Sequence, residues 1–334
     1  MAINRGSGIS AGPGINSGSG IGGAGIAVVP AGGGPVSFDF SGGSLPVGAA
    51  LTRSSIGTYF DASGVMQTAT TDAARFDYIY DGASWSLGGL LVEPARTNLL
   101  TASATATSAS AMTLTANAAT DPAGGSTADR GLETTANTAH ALNNTTVSMT
   151  GPARVCMMAY IQPIGRSAFS LNTQITGGTR TALYDYTSDA FSSVSSGLTC
   201  FSELAATWRR IGCANDAGTG SRTLSMPILV NNPLGTLSFV GDVAKGYYYA
   251  FAQAEVGDFP TSYIPTSGSA VTRAADVLTL TIPTGTYDME AVTPTGTYQG
   301  PGISVTGGAY VFDWADFVGA TTETRLTVLS ATPA

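Results

Sequence analysis

The chain has 334 residues, of which 43% are hydrophobic and only 11% charged, with 43 glycines and a formal net charge of -8. Such a chain can bury a sizeable core spread over more than one module, and its Gly-, Ser- and Thr-rich background suits strands and turns better than helices. With Lys245 as the one lysine there is no basic stripe for a phosphate backbone, which argues against nucleic acid, and no run approaches the roughly 20 apolar residues of a spanning helix, which argues against membrane insertion.

Residues 1–36 are dominated by Gly, Ser, Ala and Pro, with sparse Ile9, Ile15, Ile21 and Ile26. Alone they cannot form a core; the expected use is an extended segment threaded against a partner's backbone, with the isoleucines as periodic anchors. The start Met1 to Arg5 leads into no signal-type apolar block, so cytosolic synthesis is expected. Gly18–Gly23 matches GxGxxG by letter, yet no strand pattern precedes it and no helix pattern follows, so it gives no expectation of a dinucleotide.

Residues 37–100 read as a β-hairpin module, with strand patterns at 57–60 and 65–68 around the turn residues Asp61 to Gly64 and an apolar run that stops at Glu93 and Pro94. Residues 101–282 carry strand candidates at 153–161, 168–175, 207–213, 222–230, 246–256 and 277–282, separated by turn residues at sandwich-like intervals. Within 247–256 one alternate set is Tyr247, Tyr249 and Phe251 and the other Tyr248, Ala250, Ala252 and Ala254; two apolar faces predict a central strand. Residues 283–334, with strand patterns at 285–292, 308–314 and 325–329, read as a small C-terminal β module. The expected fold class is all-β: a jelly-roll or β-sandwich central domain, a Gly-rich extended N-terminal segment and that C-terminal module.

Several long phrases stand in order along the chain: LTRSSIGTYFDASGV at 51–65, ARFD at 74–77, GLLVEPARTNL at 89–99, TANAA at 115–119, WRR at 208–210, AQAEVGDFPTSYIPT at 252–266 and VTRAAD at 271–276. Together, over residues 50 to 280, they resemble a recurring pattern in phage and prophage virion structural proteins that carry a lectin-like, carbohydrate-binding-module-like jelly roll. EPARTN at 93–98 and TSYIPT at 261–266 are the specific part. The resemblance implies a tail fibre or tip, or a head fibre or decoration component, located in the virion and often suspected of touching host surface polysaccharide. The expected partners are other virion proteins through residues 1–36, copies of the chain itself in a homotrimer, and host glycan. A purely structural decoration protein without ligand is the alternative, and a polysaccharide depolymerase the weaker one.

The residues themselves read as structure before chemistry. Arg75 and Arg96 alternate with Asp77 and Glu93 in the manner of an ion-pair clamp, and Asn98 suits a side-chain bond that ties down the chain where it enters the jelly roll. For a glycan the useful groups are exposed aromatics beside amides or carboxylates. Trp85, in a turn-flanked stretch, and Tyr184 and Tyr186, which bracket Asp185, are the candidates, while Trp208 and Trp314 read as core. His140 is the lone histidine and lies in a polar stretch read as a surface loop, so no nucleophile–base set emerges and no enzyme is expected. Nothing marks a carboxylate pair for hydrolysis; Asp185 with Asp189 stays open. Cys156, Cys200 and Cys213 lack paired CxxC spacing, so buried free thiols are expected, with no metal site and no cofactor.

Overall fold

The computed structural model describes residues 34–150, 153–175, 178–216, 221–320 and 322–334. The attachment segment expected over residues 1–36 falls outside them except for its last three residues. The chain is all-β, and among the described residues no helix is long and apolar enough to cross a membrane.

Eight strands form the central sandwich: β1 (Ala128–Glu133), β2 (Ala141–Asn143), β3 (Arg154–Ile164), β4 (Ala168–Ile175), β5 (Gly178–Asp185), β6 (Trp208–Asp216), β7 (Ile228–Val230) and β8 (Gly246–Val256). One sheet runs β1-β8-β3-β6 and the facing sheet β2-β7-β4-β5, which is the jelly-roll order. Each sheet gains an edge strand on both sides: Met112–Ala119 and Leu198–Ala205 on the first, Ser108–Ser110 and Ala190–Val194 on the second. The core between them follows from strand alternation. Val155, Met157, Ala159 and Ile161 of β3 meet Phe169, Leu171, Ile228 and Val230 from the facing sheet.

The strand β8 is central, buried on both faces, and it carries a correction to the simple alternation read from its sequence. Met158 pairs with Gln253 and Tyr160 with Ala250, so Ala159 faces two residues, Phe251 and Ala252. This is a β-bulge, with Phe251 at φ 51. Tyr247 and Tyr249 therefore point into the sandwich, whereas Phe251 turns to the outer face and stacks on Tyr263 at 4.5 Å. After the bulge Ala252 and Ala254 point inward, and Gln253 and Glu255 point outward into buried polar contacts.

The segments 37–100 and 283–334, expected as two modules, share one core. Val36–Asp39 pairs with Val328–Pro333, Ala49–Thr52 with Val277–Leu280, and Trp85–Leu91 with Arg325–Leu326. Phe38, Phe40, Leu90, Leu278, Tyr287 and Leu329 pack together at its centre. The jelly roll is thus inserted into a second β unit, and the boundary at 283 is corrected because long-range pairing, invisible in local turn composition, joins the two ends. The hairpin Gly57–Phe60 with Met66–Ala69 forms around Asp61, whose Oδ1 accepts from the Ser63 and Val65 amides, with Gly64 at φ 76. The strand read at 308–314 is shorter: Tyr310–Val311 pairs, and Trp314–Asp316 is a 3-10 turn capped by Asp313.

Two more sequence readings change. Cys200 and Cys213 are directly opposite on Leu198–Ala205 and β6 and form a disulfide, leaving Cys156 as the buried free thiol. The register of two neighbouring strands, not any local spacing, brings the pair together. His140 is fully buried rather than in a surface loop, with Nε2 at 3.1 Å from the Thr134 carbonyl and its ring against Phe239.

Candidate functional site

At the seam between the jelly roll and the second unit sits a buried ion cluster. Arg53, Arg75 and Arg273 are each no more than 1% exposed, and they converge on Glu93 and Asp276. Asp276 accepts from Arg53 Nη1 at 2.9 Å, Arg75 Nη2 at 2.5 Å and the Glu93 amide at 3.0 Å. Glu93 accepts from Arg75 at 2.8 Å and from the Ser262 amide and hydroxyl at 2.7 and 2.6 Å. The phrases EPARTN, VTRAAD and TSYIPT thus meet in space although they are far apart in sequence. Asn98 makes four backbone bonds, donating to Ala252 and Ile264 carbonyls and accepting from the Leu100 and Ala254 amides.

Two members of the expected clamp have other partners. Arg96 lies over the Phe259 ring at 5.7 Å and donates to its neighbour's carbonyl, because Arg75 and Ser262 already fill the Glu93 oxygens. Asp77 pairs with Arg325 at 2.7 Å instead, beside the Glu203–Arg210 pair at 2.9 Å. A cavity of about 40 Å³ separates these two pairs. That space holds a few waters and no sugar ring, so these carboxylates face guanidinium groups rather than a substrate.

The buried carboxylates give the protein a testable acid response. Burial opposes the charge on Glu93, but Arg273, Arg75 and the two Ser262 donors outweigh it and hold the carboxyl well below its ordinary value. Asp77 and Glu255 go the other way, pushed up by burial against the lowering effect of Arg325 and of Thr261 respectively. The ionised Glu93 therefore adds stability that is complete above the ordinary glutamate pKa and is lost as pH falls through it towards the depressed folded value. Asp77 and Glu255 oppose this, since stability linked to their raised values is lost as pH rises through them. In urea unfolding, Glu93→Gln is expected to cost more at pH 7 than at pH 3; an equal cost at both would contradict the depressed pKa.

The expected glycan residues do not assemble into a site. Tyr184 is fully buried between the sheets and donates to Asp189 at 2.5 Å, which overturns the reading of it as a solvent-facing aromatic. It sits on the inward phase of β5. Asp185 caps a turn by accepting from the Thr187 and Ser188 amides, and Tyr186 lies under the Arg209 guanidinium and donates to the Thr207 carbonyl. Trp85 is half-buried between Phe60 and Tyr80, and a Cβ on Gly64 would come within 2.3 Å of its ring.

A cleft of about 490 Å³ does open next to Trp85, on the outer face of the first sheet. Its floor is Trp208, Gln162 and Tyr248, and Phe60 and Asp121 stand on its walls. Register builds the floor: Tyr248 of β8 is opposite Gln162 of β3, and Trp208 follows one step beyond the Ile161–Arg209 pair. Among the described residues neither the Gln162 amide nor the Tyr248 hydroxyl has an internal hydrogen-bond partner. Asp121 is fully engaged, accepting from the Ala123, Gly125 and Thr127 amides and the Thr127 hydroxyl. A half-exposed phenol beside an amide on a rigid sheet can stack on a sugar face and bond its hydroxyls.

A larger groove of about 750 Å³ lies at the far side of the seam, between Phe259 and the Trp314 turn. Exposed Val277, Val311 and Val318 line it. Its acidic groups are occupied, Asp313 in capping the turn and Glu323 in accepting from Thr295 and Tyr298. It therefore offers apolar surface and little for a sugar. Among the described residues no three His, Cys, Asp or Glu side chains converge as a metal-ligand set. Comparison with protein-family models gives no matching family, and comparison with curated proteins gives no match.

Proposed function

We propose that the protein is a bacteriophage-type virion component, a fibre, spike or decoration protein of tail or head, whose jelly roll binds a host surface glycan in the cleft over Gln162 and Tyr248 without catalysing a reaction. The observation that carries the glycan part is this pairing of an aromatic and an amide, both free of internal bonds, on the floor of an open cleft. The ordered phrases that resemble phage virion proteins support the virion part. Residues 1–36 then attach the chain to other virion proteins, and the assembled form is a homotrimer. A ligand-free decoration protein is the second reading.

Binding of labelled protein to candidate host cells, with and without enzymatic removal of surface polysaccharide, tests the proposal. Binding is expected to vanish with the polysaccharide and to weaken about tenfold in Tyr248→Ala, as expected for about 1.4 kcal/mol of lost stacking. Polysaccharide-dependent binding that ignores both Tyr248→Ala and Gln162→Ala would move the site elsewhere on the surface. No binding to any susceptible host would leave the decoration reading.

A further inference from the structure

The net charge of -8 makes an unpaired cation conspicuous. Arg222 aside, whose side chain lies outside the described structure, the other basic side chains among the described residues are committed: to the buried cluster, to other carboxylates, to Asn215 for Arg180, or to the Phe259 ring for Arg96. Of the described basic side chains Arg130 is the one with no hydrogen bond, ion pair or ring contact, and its Nε is buried without a partner. It lies on β1 directly opposite Tyr248, in the same cross-strand row that places Gln162 on the other side of that tyrosine. Residues opposite one another in such a row share a face, with Cβ atoms about 5 Å apart. The cross-strand row therefore runs from indole to amide to phenol, which line the cleft, and on to a partly buried guanidinium beside that lining which no protein group among the described residues satisfies.

We propose that the ligand of this cleft is an acidic polysaccharide, with a sugar ring against Tyr248, its hydroxyls on Gln162, and its carboxylate on Arg130. This rests on the glycan reading above and deepens it. The argument is charge complementarity: a guanidinium held next to a sheet floor prefers a planar carboxylate, which accepts two parallel N–H bonds from it. The wall carboxylate that would repel such a ligand, Asp121, already accepts four protein donors.

The test uses the full chain with polygalacturonate, alginate and hyaluronate, each against its carboxyl-reduced form, in which the carboxylate is replaced by a neutral hydroxymethyl group. At least one acidic polymer is expected to bind tenfold or more tighter than its reduced counterpart, the difference shrinking with added salt. Arg130→Gln is expected to abolish the difference and Arg130→Lys to keep part of it, with the melting temperature of each variant showing that it folds. Equal binding of acidic and reduced polymers overturns the acidic-ligand inference and leaves the glycan reading standing. No binding to any polymer also overturns the inference, and if cell binding ignores polysaccharide removal the glycan reading falls with it.

Discussion

Replacing Asp276 by asparagine is expected to destabilise the fold by about 3–5 kcal/mol, the cost of leaving buried charge without its partner. The seam cluster holds three guanidiniums, Arg53, Arg75 and Arg273, against two carboxylates, Glu93 and Asp276. Burial already pushes the Arg273 guanidinium below its ordinary value, as an excess of positive charge would. Asp276→Asn worsens that excess to three against one and removes the one carboxylate that pairs with Arg53. Arg75→Met, by contrast, leaves two against two, so its cost should be smaller even though Glu93 and Asp276 each lose a donor. The double variant should cost less than the sum of the singles, because losing Arg75 relieves the positive excess that Asp276→Asn creates, and the Arg75–Asp276 pair can be lost only once. Arg154→Met at the exposed pairs with Asp216 and Asp258 is the control, expected at about 0–1 kcal/mol. Urea unfolding of the four variants decides the matter, and an Asp276→Asn cost below that of Arg75→Met would refute this view of the cluster.

These contrasts also show what the sequence carries and what it hides. Local patterns are legible: the Asp61 to Gly64 turn, the two apolar faces of 247–256, and the all-β class all follow from residue type and period. The jelly roll itself was legible through the ordered phrases. Partners distant in sequence were not. Arg75 and Glu93 suggest a clamp by their alternation, but Asp276 and Ser262 reach it only because the chain leaves the jelly roll beside the point where it enters. The phase of β5 puts Tyr184 indoors, and a bulge at Phe251 reverses the face of everything after it; neither leaves a mark in composition. Gln162 and Tyr248 look ordinary in their own strands. Only register makes them neighbours, and only the side-chain contacts of the described residues, taken together, show Arg130 without a partner among them. The signal that could have pointed to the cleft is the run of three tyrosines at 247–249, since two faces cannot both be core if one ends in a free hydroxyl.

That run supports the second large effect. Tyr247 and Tyr248 are adjacent in β8, so strand alternation sends one inward and the other outward. Tyr247 is fully buried, lies edge-on to Phe169 at 5.5 Å, and reaches the facing sheet, where its hydroxyl accepts from the Leu142 amide at 2.8 Å and donates to the Ile228 carbonyl at 2.5 Å. It ties β2 and β7 to β8 through one oxygen. Tyr247→Phe should cost about 1–3 kcal/mol by orphaning a buried amide and carbonyl, while Tyr247→Ala should cost about 3–5 kcal/mol or more by adding a cavity between the sheets. Neither change touches the cleft, so polysaccharide binding measured well below the melting temperature should survive Tyr247→Phe. Tyr248→Ala should show the reverse: near-normal stability and lost binding. If the two variants lost stability and binding in parallel, the cleft would be coupled to the core and Tyr248 would be part of the scaffold rather than of the binding surface.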